Sequence, residues 1–159
     1  MTIELHNNVY CEGEGLPVVL VHGFPVDHRM WDECAEALEA AAVEHGVKRF
    51  PIWGPDMPGA GEGPIPSDET SGGKDADGAF PNGLDHMADA YVAMLHAAGY
   101  DKAIWAGLSM AAIWFSTFSV FTRSCCRVGI VRHEGRGGFR ADAREAHRDR
   151  RSMRIDGHA

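Results

Sequence analysis

A chain of 159 residues, 45% apolar and 24% charged, has the size and mix of one globular domain and excludes collagen-like, coiled-coil and low-complexity classes. Its formal net charge of −8 is uneven, with five basic against 18 acidic residues up to Met110 and ten against five beyond it. No run of ~18 apolar residues occurs, and Met1-Thr2-Ile3-Glu4-Leu5-His6 carries no basic segment leading into an apolar one, so no membrane partner and a cytoplasmic location are expected.

In chain order, residues 2–11 hold short β-type stretches, interrupted by Gly13 and Gly15 before Leu16-Pro17-Val18-Val19-Leu20-Val21. An apolar run without polar alternation is how a strand reads when both faces are covered, as in a parallel sheet. It ends at His22-Gly23-Phe24-Pro25. Asp27 or Asp32 can then cap a helix whose apolar side is Met30, Trp31, Cys34, Leu38 and Ala41, closing at Gly46. A second short strand at 49–53 completes a βαβ unit. Residues 54–83, rich in Gly, Pro, Ser and Asp, predict a long surface loop, and its part 61–82 is a candidate border for a pocket. Leu84, Met87, Ala88, Tyr91, Val92 and Leu95 then recur at helical spacing, with Gly99 where a C′ glycine belongs. Ala103-Ile104-Trp105-Ala106 predicts a third buried strand, running straight into Gly107-Leu108-Ser109-Met110-Ala111.

Beyond Met110 the basic residues are all arginines, with no helical or strand period. Without lysines or interleaved stacking aromatics, this tail does not predict a nucleic-acid partner. Cys11, Cys34, Cys125 and Cys126 have no C-x-x-C spacing, so they are expected to be reduced thiols. No metal and no organic cofactor is expected.

A serine directly after a buried strand, with glycine two residues before it, suits a sharp strand-to-helix turn that lifts Oγ above the sheet edge. Small flanking residues relieve the strained main chain, and the helix beyond supplies an N–H and a positive dipole end. Taken alone, Ser109 can also be read as a helix N-cap.

Three motifs in this order and spacing, Leu20-Val21-His22-Gly23-Phe24, Pro55-Asp56-Met57-Pro58-Gly59-Ala60-Gly61 and Ala106-Gly107-Leu108-Ser109-Met110, resemble the first half of an α/β-hydrolase, nearest to the small esterases and enol-lactonases. The resemblance covers residues 2–110. It implies an α/β fold class: a mostly parallel sheet with flanking helices, here incomplete. It further implies a serine hydrolase that cleaves a small-molecule carboxylic ester or lactone through an acyl-enzyme. Ser109 matches the nucleophile. The backbone N–H groups of Phe24 and Met110 match the oxyanion-hole donors, each worth about 3–4 kcal/mol to the transition state. Gly107 matches the small residue of the elbow, and Asp56 belongs to a structural D-x-P-G loop, not to the catalytic triad. His22 is expected to shape the oxyanion loop as a satisfied buried histidine. Trp31, Trp53 and Trp105 are expected in the core, and His86 and His96 solvated or packed on their helix. Dehalogenases and epoxide hydrolases of this fold have aspartate at the nucleophile position, which Ser109 disfavours. A haloperoxidase or peptidase-like member stays open.

The pattern breaks after Met110. Ala111 stands where the family has glycine. The family's triad acid and histidine follow the nucleophile, on loops after later strands. His133, His147 and His158 lie in the Arg-rich tail with no strand foreseen before any of them, and none matches the catalytic base. Without that base the serine is not activated. Residues 111–159 are therefore expected to be an aberrant tail and not a domain. A one-base slip after the Met110 codon permits Gly-Gly-Tyr at 111–113, restoring the elbow glycine. A sheet left without its later strands is expected to expose an apolar edge and face, lowering solubility and catalysis. Oligomeric state and substrate identity are not written in these residues. A non-catalytic binding or partner-dependent module on the same fold is the alternative function.

Overall fold

Val18-Val19-Leu20-Val21 is apolar at every position, and all four residues are buried as strand β2 (Val18–Val21), with a parallel neighbour on each side. The computed structural model describes residues 3–71, 73–78, 80–81, 83–109, 126–133 and 139–141. β1 is Asn7–Cys11, β3 is Ile52–Pro55 and β4 is Lys102–Leu108. Two strands not foreseen, β5 (Cys126–His133) and β6 (Phe139–Ala141), complete a six-stranded sheet in the order β1-β3-β2-β4-β5-β6.

β3 and β4 lie on opposite sides of β2. Right-handed crossovers moving in opposite directions put their helices on opposite faces of the sheet. Helix α1 (Asp32–Glu44) connects β2 to β3. Helix α3 (Gly83–Ala97) connects β3 to β4, after a short helix α2 (Asp68–Ser71) inside the long loop. The alternating side chains of β2 sort accordingly. Val19 and Val21 pack with Ala88, Tyr91 and Leu95 of α3, while Val18 and Leu20 pack with Trp31 and Ala35.

Helix α3 carries the expected face. Ala88, Tyr91 and Leu95 are buried, and Met87 packs against them; the Leu84 side chain lies outside the described residues. Its end is a Schellman motif. Gly99 at φ 83 lets its own N–H donate to His96 C=O at 2.9 Å, and Tyr100 N–H donates to Leu95 C=O at 3.1 Å.

The α1 region departs from its expected pattern by one register. A 3₁₀ turn at His28–Trp31 comes first, and its N-cap is Asp27, whose carboxylate accepts from Arg29 N–H at 3.0 Å. Asp32 is the C-cap of this turn and the first residue of the helix proper, whose N-cap position is Trp31. This extra turn rotates the helix, so the inward residues are Trp31, Ala35 and Leu38, while Cys34 and Ala41 face solvent.

β1 pairs antiparallel with β3, so the sheet is mixed at this end. Gly54 of β3 lies under the Tyr10 ring, and a Cβ there would stand 2.6 Å from Tyr10 Cε2. At the other side, β5 pairs antiparallel with β4 from Lys102↔Arg132 to Leu108↔Cys126. The β4 edge expected to be bare is thus covered, and a strand does precede His133. The β-branched Val128, Ile130 and Val131 explain why this piece of the tail extends. His147 and His158 lie outside the described residues. No described helix is long and apolar enough to cross a membrane.

Candidate active site

β2, β3 and β4 point the same way and end together, with Val21 in register with Gly107 of β4. The residues immediately after these strands therefore meet at one sheet edge, the usual place for ligands in an open α/β sheet. His22-Gly23-Phe24 follows β2, Asp56-Met57 follows β3, and Ser109 follows β4.

Ser109 is exposed and adopts φ 57, and no other described residue except glycine has a positive φ. A side-chain-bearing residue in this region costs about 1–3 kcal/mol and persists only where its surroundings hold it. The elbow anticipated from Gly107-Leu108-Ser109 thus has the strained main chain that such a turn requires. Gly23 abuts it, because a Cβ on Gly23 would stand 3.3 Å from Ser109 Cβ and 3.3 Å from Leu108 O. A Cβ at 23 would therefore require Leu108 or Ser109 to give by a few tenths of an ångström. Phe24 comes next, its side chain 80% exposed at the rim of this edge. Met110, expected as the second oxyanion donor, and Ala111 lie outside the described residues.

His22 is 1% exposed and bonded at both ring nitrogens. Met57 N–H donates to Nε2 at 2.9 Å, so Nε2 carries the lone pair and the ring proton sits on Nδ1, which donates to Gly23 C=O at 2.9 Å. The ring ties the loop after β2 to the loop after β3 and has no free nitrogen for proton transfer, matching its expected structural role.

Asp56 is fully buried and organises the same edge. Its Oδ1 accepts from His28 N–H at 2.8 Å, and its Oδ2 accepts from His28 Nδ1 at 2.8 Å and Glu62 N–H at 2.9 Å. Burial pushes this carboxyl up, but the two backbone donors and the His28 ring outweigh it and hold Asp56 below the usual carboxylate range. Gly61 at φ 51 makes the close approach possible, since a Cβ there would lie 2.4 Å from Asp56 Oδ2. Tyr10 supports His28 from behind, with its hydroxyl 2.6 Å from His28 C=O and 2.8 Å from Asp32 Oδ1. Burial and the Asp32 carboxylate push this phenol well above its ordinary range, so it stays a donor. Sequence reasoning placed Asp56 in a structural loop but did not find His28, His6 or Tyr10 around it; these residues are scattered through the chain and share no spacing signal.

The loop after Asp56 borders a cavity of about 170 Å³ closed by α3, with Pro66, Thr70 and Phe80 on one side and His86 and Met87 on the other. Trp31, Trp53 and Trp105 are 9%, 6% and 5% exposed, which makes them core residues and not a stacking platform.

The sequence pattern described as the alpha/beta hydrolase fold matches residues 17–114. No curated protein matches the chain. Among solved structures, a marine microorganism esterase is similar at 19% identity and TM-score 0.51, over 73% of this chain and 37% of that one. An epoxide hydrolase from Bacillus megaterium is similar at 18% identity and TM-score 0.51, over 71% and 33%. A thermophilic esterase from Thermogutta terrifontis shares 30% identity at TM-score 0.45, over 70% and 35%. The chain spans about a third of the length of the structures it resembles. With the matched pattern covering most of the chain and a strained Ser109 packed against Gly23 at the sheet edge, this protein belongs to the α/β-hydrolase fold family.

Proposed function

We propose that Ser109 is the nucleophile of a serine hydrolase acting on a small carboxylic ester or lactone through an acyl-enzyme. The observation that carries this reading is the left-handed backbone of Ser109 at the end of β4, with Gly23 against its Cβ. Oγ attacks the carbonyl carbon, and the carbonyl π pair moves onto oxygen, where the N–H groups of Phe24 and Met110 receive it. The intermediate collapses by expelling the alkoxide oxygen, which takes up the proton that left Ser109. Water then releases the acid by the same two steps. A serine here, in place of aspartate, disfavours epoxide opening and dehalogenation.

A base must accept the serine proton. We further propose that the 159-residue chain by itself turns over little or no substrate, since no residue of its sequence matches the family's catalytic base, and that residues 111–159, the expected aberrant tail, are not a domain of their own although 126–133 and 139–141 extend the sheet. The unmatched base favours a second reading, a non-catalytic binding or partner-dependent module on this fold. A serine-reactive fluorophosphonate probe separates the two. Slow labelling that disappears in Ser109→Ala, without measurable turnover of a p-nitrophenyl ester, is the expected result. No labelling of a cooperatively folded chain would count against an activated Ser109 and favour the second reading.

A further inference from the structure

Three imidazoles converge on the buried Asp56 carboxylate, and one of them is left incomplete. His22 and His28 have their bonds in place. His6, in the segment before β1, does not. Its Nδ1 is a buried atom without a hydrogen-bond partner, 3.4 Å from Asp56 Oδ2, and its Nε2 lies 3.4 Å from Glu62 Oε2. Oδ2 already accepts from His28 Nδ1 and Glu62 N–H. A bare lone pair on His6 Nδ1 would face a carboxylate oxygen at repulsive distance, and a proton there would be a third, misdirected donor onto that oxygen. A cation between the two atoms removes the conflict.

The geometry suits one. His6, His28 and Asp56 each offer one ligand atom, and these atoms all lie within 4.8 Å of one another. Bonds of about 2.0–2.2 Å in a tetrahedral zinc site set ligand atoms about 3.3–3.5 Å apart, so closure needs shifts on the order of 1 Å. Two imidazoles and one carboxylate favour zinc over magnesium or calcium, which prefer all-oxygen shells. We infer that His6, His28 and Asp56 form a binding site for a Zn²⁺-class divalent cation, with water as fourth donor. If His28 ligates through Nδ1, the proton there moves to Nε2 by exchange with water, and the ring stays neutral. The bound ion joins the segment before β1, the 3₁₀ turn after β2 and the loop after β3. It is a structural clamp for the edge that holds Ser109, and it does not depend on what Ser109 does.

The test uses the full chain after removal of metal with a chelator. Titration with Zn²⁺ should give one ion per chain and a rise in Tm at saturation, and Co²⁺ should give the visible absorption of a four-coordinate site. Mg²⁺ should do neither. His6→Gln, at a half-exposed side chain, should weaken Zn²⁺ binding by about tenfold or more while leaving the metal-free Tm within a few degrees. Histidine ring resonances of His6 and His28 should shift with Zn²⁺ in the wild type. Absence of a one-ion isotherm, or Zn²⁺ binding unchanged by His6→Gln with the His6 and His28 resonances unmoved, would overturn the site.

Discussion

The two faces of the sheet are built differently. The α3 face packs Val19, Val21, Trp53 and Trp105 against Ala88, Tyr91 and Leu95, and it contains both edge-on aromatic pairs among the described aromatic rings: Trp53 with Tyr100 at 5.5 Å and Tyr91 with Trp105 at 5.8 Å. The α1 face is thinner. Only Ala35 of α1 is fully buried, and the β4 residues on that side, Ile104, Ala106 and Leu108, remain half-covered. Burial follows helix content, since α3 offers Tyr91 and Leu95 to the sheet where α1 offers Ala35 and Leu38. Most of the hydrophobic stabilisation therefore sits behind the strand that carries Ser109, at roughly 1.5–3 kcal/mol for each large apolar side chain fully buried. A deep anchor on one side only is enough to hold a strained turn at the strand end.

This contrast can be broken at its strongest point. Tyr91→Ala on the α3 face should cost about 3–5 kcal/mol, read as a lower urea midpoint at unchanged slope, because the hole lies among side chains that cannot collapse into it. A loss below about 1 kcal/mol would show that the α3 face is not the dominant core.

The next effect belongs to the polar edge between the faces. Asp56 titrates below the usual carboxylate range in the folded chain, so its stabilisation is fully present above the unfolded carboxyl pKa and is lost as pH falls through the lower folded value. Stability should hold at neutral pH and decline from about pH 4 downward. In Asp56→Asn, stability at neutral pH should drop and the acid branch should flatten, as followed by thermal melts across pH. An unchanged acid branch would assign that dependence to other carboxylates.

The smallest effect sharpens the comparison. Cys34→Ser on the outer side of α1 should alter stability by no more than about 0.5 kcal/mol, since this thiol is exposed. A cost of several times that would return Cys34 to an inward-facing position.

Much of this arrangement was legible in the residues. The run Val18 to Val21 reads as a strand with two covered faces, and the spacing from Met87 to Leu95 with Gly99 beyond it reads as a helix with a glycine stop, as both are. The Gly107-Leu108-Ser109 turn was legible because backbone strain limits which residues can flank it. Less visible was the facing of α1. Trp31 and Leu38 were found, but a 3₁₀ turn at residues 28–31 shifts the helical phase, and nothing in a 3.6-residue period marks that shift. The antiparallel pairing of β1 and the extension of the sheet by β5 and β6 were also not legible, because strand order depends on contacts distant in sequence.

The sequence by itself determined the family, the order of the main strands and helices up to Ser109, and the position of Ser109 directly after a buried strand, because these rest on local period and on motifs confined to a few residues. Only the tertiary structure decided that Gly23 sits where a side chain would meet Ser109, that His22 spends both nitrogens on the backbone, and that His6, His28 and Glu62 gather on Asp56. His6, His28, Asp56 and Glu62 stand up to 56 positions apart in the chain, and only the closing of β1, β3 and β2 into one sheet brings their polar atoms within bonding distance.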